Sequence, residues 1–314
     1  MHELKRVMVT GGTGFLGGHL CERLLDDGVE VLCVDDRSTS APSAESLLRD
    51  RTGYRFLLHD ITEPLLDLPR VDTVFHLASP ASPVDYHRMP VQTLRTGALG
   101  TANALEFAQR WDARLVLTST SEVYGDPLEH PQRETYWGNV NPIGPRSVYD
   151  EAKRYAEALT FAYRRSRSAD IGVARLFNTY GPRMRCDDGR IVPTFSMQAL
   201  AGAPITVHGD GAQTRSLCYV DDTIDALVAL ARSECEGPIN IGNPDELTVL
   251  QIAELIRDLA ASESPIKFVQ RGDDDPQRRC PDVTAAREQL GWKPQVEPRH
   301  GLAETIEWFA RQKL

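Results

Sequence analysis

The sequence has little of what would tie a protein to a membrane, a metal or a nucleic acid. No apolar run approaches the roughly 20 residues that span a bilayer. Apolar sequence begins almost at once (LKRVMVT, 4–10), which leaves no room ahead of it for a secretory leader. The six cysteines, Cys21, Cys33, Cys186, Cys218, Cys235 and Cys280, form no CxxC pair and no metal-ligand spacing. Reduced thiols in a cytoplasmic protein without a metal are therefore expected. Basic residues are outnumbered 45 to 35, for a net charge of −10, and lie scattered apart from short runs such as Arg278–Arg279. A phosphate-backbone partner needs clustered Lys and Arg, so nucleic acid is excluded and any bound anion is expected to be small. No internal repeat or low-complexity segment is visible.

What is present is alternation. Short β-branched runs at 6–10, 30–35, 54–60, 72–78, 114–119 and 171–177 are separated by helical patterns around 15–27, 91–110 and 148–167. Strand–helix alternation of this kind predicts a parallel sheet covered on both faces, an α/β Rossmann-type doubly wound fold. From about residue 180 loops rich in Gly, Pro and Asp (181–190, 271–282) separate shorter elements, with helices expected near 191–201, 221–232, 248–260 and 300–312. This predicts a sheet domain over 1–178, with return segments from about 214–242, and a smaller C-terminal ligand-binding lobe over most of 179–314.

VTGGTGFLGG (9–18) follows the first strand and opens the first helix. Glycines at 11, 14 and 17 let backbone approach a pyrophosphate, and the helix amino end beyond supplies N–H donors. Asp35 ends the second strand, where a carboxylate accepts hydrogen bonds from ribose hydroxyls and repels a 2′-phosphate. NAD is favoured over NADP on that ground, although Arg37 close by is able to accommodate such a phosphate. Asp60, closing the third strand, is a candidate contact for the adenine edge.

SVYDEAKRYAEAL (147–159) sets Tyr149 and Lys153 four apart at a helix start, hence on one face. A free phenol has a pKa of ~10, so a base near neutrality needs a shift of about 3 units, which a neighbouring ammonium and a bound nicotinamide cation supply by favouring phenolate. LTSTSEVYGD (117–126) ends the fifth strand in a cluster of hydroxyls followed by Glu122.

With a dinucleotide turn, Thr120 at the strand end and Tyr-x-x-x-Lys in order, the chain resembles the extended short-chain dehydrogenase/reductase family over nearly its whole length. The resemblance implies that Thr120, Tyr149 and Lys153 remove a sugar hydroxyl proton while hydride passes to NAD. It implies further cofactor contacts from Gly11, Gly14, Phe15, Leu16, Gly17 and Asp35, from Arg37, Asp60 and Ile61, and from Leu77, Ala78, Ser79, Thr96 and Thr118. Asn178 in FNTYGP, Arg215 in GDGAQTRS and Arg279 in DDPQRRCPD match members that bind nucleotide-sugars, with the second lobe holding the sugar and diphosphate. Guanidinium forks suit such a diphosphate. For Arg279 an ion pair with Asp273–Asp275 is the competing reading.

Glu122 separates the branches of that family. Epimerising members typically lack an acid there. Dehydrating members typically carry Asp-Glu, the Asp protonating a leaving hydroxyl, where this chain has Ser121-Glu122. Serine is too weak an acid for that. Glu122 would instead orient the ring near C5, which fits decarboxylation: oxidising C4 of a uronic acid gives a β-keto acid that loses CO2, and returning the hydride restores the cofactor. The stretches 76–86, 119–154 and 177–192 resemble the branch that converts UDP-glucuronate to UDP-xylose, and there Arg190 implies another substrate or cofactor contact. LRTGALGT (94–101) departs from that branch's usual Lys-Thr-Asn, leaving Arg95 with the charge and a substrate contact implied for it. Alternatives are a 4-epimerase, a decarboxylase stopping at the 4-keto pentose, and a non-catalytic NAD-binding sensor. Finally, Leu94, Leu99, Leu105 and Phe107 on one helix, and Tyr155, Leu159, Phe161 and Tyr163 on the other, exceed what one sheet face covers. They predict a homodimer through a four-helix interface.

Overall fold

The computed structural model describes residues 2–40, 46–270 and 277–312. Strand β1 (Arg6–Thr10) leads through the glycine turn into helix α1 (Phe15–Asp26), followed by β2 (Glu30–Asp35), β3 (Tyr54–Leu58) and β4 (Thr73–His76). Helix α2 (Pro83–Arg88), α3 (Pro90–Arg95), a wide π turn (Thr96–Gly100) and α4 (Thr101–Trp111) precede β5 (Arg114–Thr120), α5 (Ser147–Arg167) and β6 (Ile171–Leu176). The sheet runs β3-β2-β1-β4-β5-β6 and adds the short strand Ile239–Ile241 beside β6, with every pairing parallel.

Successive strand residues point to opposite faces, and the sequence uses that directly. Val7 and Val9 of β1 belong to an apolar cluster with Leu20 and Leu24 of α1, whereas Met8 between them joins Leu105 and Phe107 of α4 on the other face. A sheet buried on both sides needs near-continuous apolar strands, and β5 is buried at all seven positions.

The expected helix over 91–110 is present and its backbone is helical across both joints, with a wide π turn at Thr96–Gly100. A Cβ on Gly97 would stand 2.6 Å from the Ala152 Cβ and 2.9 Å from its carbonyl oxygen, so the π turn lies directly on α5. Of the eight side chains read as surplus apolar surface, Leu105, Phe107 and Tyr163 are buried within the chain itself. Leu94, Leu99 and Tyr155 stay 41%, 44% and 50% exposed.

Beyond β6 come α6 (Ile191–Leu200), α7 (Val220–Arg232), α8 (Val249–Leu259), α9 (Thr284–Leu290) and α10 (Pro298–Arg311). α9 was not expected; two turns are too short to display a helical period. Short strand pairs tie this part together: Ile205–His208 with Ile266–Val269, and Thr214–Ser216 with Glu246–Thr248. Among the described residues no helix is long and apolar enough to cross a membrane.

Candidate active site

A cleft of about 1370 Å³ opens at the carboxyl ends of β1, β2, β4, β5 and β6, where an open parallel sheet places its ligands. One wall is backbone. A Cβ on Gly17 would fall 2.1 Å from the Gly11 carbonyl oxygen, and one on Gly11, at φ +70°, would fall 2.8 Å from Ala78. Gly14 caps α1 with no side-chain hydrogen bond, leaving the first N–H groups of the helix open to a ligand. Asp35 accepts from the backbone N–H of Thr13 (3.0 Å) and of Arg37 (2.7 Å), which fixes its carboxylate at the rim. Asp60 accepts from Thr62 N–H (2.8 Å). Phe15, Leu16, Ile61, Leu77 and Thr96 line the same wall. So does Ser79, whose hydroxyl is buried without a partner.

At the sheet end of the cleft, Thr118, Thr120, Tyr149 and Lys153 converge. The Lys153 ammonium donates to the Thr118 carbonyl (2.8 Å) and stands 5.9 Å from the Tyr149 ring centroid. The Tyr149 ring lies stacked on Tyr86, 5.5 Å away and 7° from parallel. Burial pushes the Tyr149 phenol up to about 12 and the Glu122 charge adds to that, while the Arg190 charge and a hydrogen bond with Thr120 pull it back. Burial also draws Lys153 down to about 8, against the Glu157 carboxylate. The expected drop of the phenol toward neutrality is thus not a property of the chain alone. One N–H of Lys153 is held by the Thr118 carbonyl, and a cation brought in with the cofactor would add to the Lys153 charge in lowering the phenol.

The third wall is charged. Glu122, whose N–H donates to the Thr120 hydroxyl (3.2 Å), is gripped by two guanidinium groups. Arg146 reaches it at 2.5 Å, and Arg279 closes a two-pronged pair through both carboxylate oxygens, one prong at 2.9 Å. Burial favours the neutral acid, yet the Arg279 and Arg146 charges prevail and hold the Glu122 carboxyl well below the usual range. The two guanidinium charges favour the carboxylate over an acid with a proton to give. Asp150, one turn of α5 after Arg146, is driven the other way, by burial and by the Glu122 charge.

Of the residues singled out in the sequence, Asn178, Arg190 and Arg215 also line the cleft. Arg190 caps α6 with its Nε 3.3 Å from Asp188, and Arg215 donates to the Thr214 carbonyl (2.7 Å). Two do not line it. Arg95 is exposed on α3, and Arg37 lays its guanidinium over the Phe56 ring at 4.5 Å. Asp273–Asp275, the competing partners for Arg279, lie outside the described residues. Two residues had not been singled out. Arg146 sits in the segment that carries Tyr149, three positions ahead of it. Arg185 spans the cleft mouth to the Thr39 carbonyl (2.7 Å) and Asp85 (2.9 Å).

Residues 7–242 match the NAD dependent epimerase/dehydratase family, and the chain belongs to that family. It is 48% identical to UDP-glucuronic acid decarboxylase 1 of Danio rerio over 99% of this chain and 74% of that one. It is 50% identical to UDP-glucuronic acid decarboxylase 5 of Arabidopsis thaliana over 95% and 87% of the two chains. Among solved structures it superposes on the UDP-glucose 4-epimerase of Thermotoga maritima, bound to UDP-glucose, with a TM-score of 0.90 at 27% identity over 98% and 99% of the chains. The UDP-glucuronic acid 4-epimerase of Bacillus cereus, in complex with UDP-glucuronic acid and NAD, gives 0.87 at 26% identity over 98% and 100%.

Proposed function

We propose that this chain decarboxylates UDP-glucuronate to UDP-xylose, with NAD recycled in each turnover. The observation that carries the reading is Glu122: a carboxylate locked between Arg146 and Arg279, at the strand end where Thr120 and Tyr149 meet. A dehydratase needs a proton donor there. Glu122 is held ionised and its neighbour Ser121 is too weak an acid.

The cleft fits NAD on its own geometry: a glycine turn packed too closely on its own backbone to carry a Cβ at Gly11 or Gly17, a helix amino end without a side-chain cap, and a buried Ser79 hydroxyl with no partner among the described residues. Bound there, NAD supplies the acceptor for the C4 hydride and returns it at the end. Tyr149 takes the C4 hydroxyl proton, Thr120 polarises that oxygen, and Lys153 stabilises the ionised phenol. With C4 a carbonyl, the carboxylate on C5 leaves as CO2 and its electrons move to the C4 oxygen, again beside Thr120 and Tyr149; a proton from solvent then adds at C5, which restores the C4 carbonyl to accept the returning hydride. Glu122 and its arginines orient the ring at C5. Arg190, Arg215 and Arg279 supply cationic side chains for the substrate's two phosphates and carboxylate. The elements after β6, apart from the return over 214–242, form the lobe that carries Arg190 and Arg279, and Arg215 stands at the start of that return.

The acidic chain with its six unbridged cysteines suits a reducing cytoplasm. Leu94, Leu99 and Tyr155 remain as an exposed apolar face on adjoining helices, and we assign it to a homodimer; a monomer by light scattering at micromolar concentration would contradict that assignment. The enzymatic test is to mix enzyme, NAD+ and UDP-glucuronate. CO2 without net NADH is expected. A six-carbon product inverted at C4 would make the chain an epimerase.

A further inference from the structure

Behind the cleft, one half-buried guanidinium joins the two halves of the site. Arg175 of β6 grips Glu157 of α5 with both prongs, Nε to Oε1 at 3.0 Å and Nη2 to Oε2 at 2.8 Å. The Ser119 hydroxyl donates to the same carboxylate at 2.5 Å. Ser119 stands on β5 between Thr118, which holds Lys153, and Thr120, while Glu157 lies one helical turn beyond Lys153. This arm therefore fixes α5, and with it Tyr149, along the strand end that carries Thr120.

The remaining nitrogen starts a second arm. Arg175 Nη1 donates to the Tyr124 hydroxyl (3.0 Å) and to the Glu134 carbonyl (3.0 Å). Tyr124 donates to Asn240 (2.8 Å), the Asn240 amide donates to the Gln132 carbonyl (3.0 Å), and Gln132 accepts from the backbone N–H of Cys280 (2.9 Å). Cys280 follows Arg279, so this arm sets the segment from which Arg279 reaches Glu122. Tyr124, Gln132 and Asn240 are all but fully buried. Buried polar groups that lose a partner are costly, so a fully connected network of this kind has one arrangement. Replacing buried ions by apolar residues is often neutral or stabilising, and stability alone therefore does not account for them.

We propose that Arg175 is a positioning residue for the reaction, its Glu157 arm aligning Tyr149 with Thr120 for hydride transfer and its Tyr124 arm holding Arg279 and Glu122 on the sugar carboxylate side. Neither Arg175, Glu157, Tyr124, Asn240 nor Gln132 lines the cleft, so each acts through another residue. The proposal rests on the roles given above to Tyr149, Glu122 and Arg279.

The two arms separate kinetically. Tyr124→Phe removes one hydroxyl and is expected to raise KM for UDP-glucuronate about fivefold with kcat nearly unchanged; Glu157→Gln should lower kcat about tenfold with KM nearly unchanged, the scale of a sub-ångström misplacement. Arg175→Lys keeps the charge, loses the fork and should show both defects. Melting temperatures report stability separately. Wild-type kcat and KM in both Tyr124→Phe and Glu157→Gln would overturn the proposal, as would parallel changes of both constants in each. Tyr149→Phe is run beside them: if it turns over normally, the assignment of the reaction fails. If it is inactive while both arm variants are normal, only the role of Arg175 fails.

Discussion

Two walls of the cleft are made of different materials. The glycine turn, Gly11 to Gly17, is largely backbone drawn from one contiguous stretch, with Asp35 at its rim. The opposite wall is a cluster of ions, Glu122, Arg146 and Arg279, drawn from three separate segments and held by geometry. The first kind of wall tolerates no added atoms. The second tolerates no unbalanced charge.

The proposed chemistry lies at Tyr149, between the two walls, so the largest effect is expected there. Tyr149→Phe should lower kcat by about 10³-fold, within the range for loss of a positioned acid–base group, and leave NAD binding intact by fluorescence titration. Next comes the ionic wall. Glu122→Gln strands two guanidinium groups, and breaking such a partly buried pair costs on the order of 3 kcal/mol, to be read as a lower denaturation midpoint together with lost turnover. Its pH dependence has a definite sign. The Glu122 carboxyl is depressed in the folded chain, so its contribution is fully present above the ordinary carboxylate pKa, declines below it and is gone once pH has fallen through the lowered value. No acid limb of kcat/KM near the ordinary glutamate pKa should belong to Glu122.

Gly97→Ala tests the packing behind the cleft, where the π turn meets α5. The added methyl meets Ala152 beside Lys153, and overpacking of this kind costs about 1–3 kcal/mol, visible as a lower melting temperature. Lys153 offers a second pH test. Its folded pKa, about 8, lies below the unfolded value near 10.5, so burying the ammonium destabilises the chain fully below pH 8 and progressively less as pH rises toward 10.5. Lys153→Met should remove that component from the pH dependence of melting. The smallest effect is expected from Arg95→Ala, within about twofold in kcat/KM as for an exposed residue outside the cleft, against a KM rise of about tenfold for Arg190→Ala, which removes a cation lining it.

The contrast between the walls also explains what could be read in advance. Gly11, Gly14, Gly17 and Asp35 were legible because strand, turn and helix follow one another, and each residue type answers a local steric or hydrogen-bonding demand. Tyr149 and Lys153 were legible because helical spacing alone puts them on one face. Helical spacing also explains Arg95: side chains turn by about 100° per residue, so its neighbour Thr96 is buried in the cleft wall while Arg95 is exposed. Arg146 and Arg175 carried no signal. One is a lone arginine at a helix start and the other a polar residue in an apolar strand, and their significance comes from partners 24 and 18 residues away. The grip of Arg279 on Glu122 joins residues 157 apart, a distance no local pattern bridges. The π turn within the 91–110 helix was likewise invisible, since its close packing on Ala152 is a contact between residues far apart in sequence.

The most direct measurement is NMR of the sugar formed from UDP-glucuronate and NAD+ in D2O. Transient oxidation at C4 with loss of the C5 carboxylate requires a five-carbon sugar nucleotide carrying deuterium at C5 and protium at C4, with the cofactor left oxidised. A six-carbon uronate inverted at C4, with protium still at C5, would contradict the account.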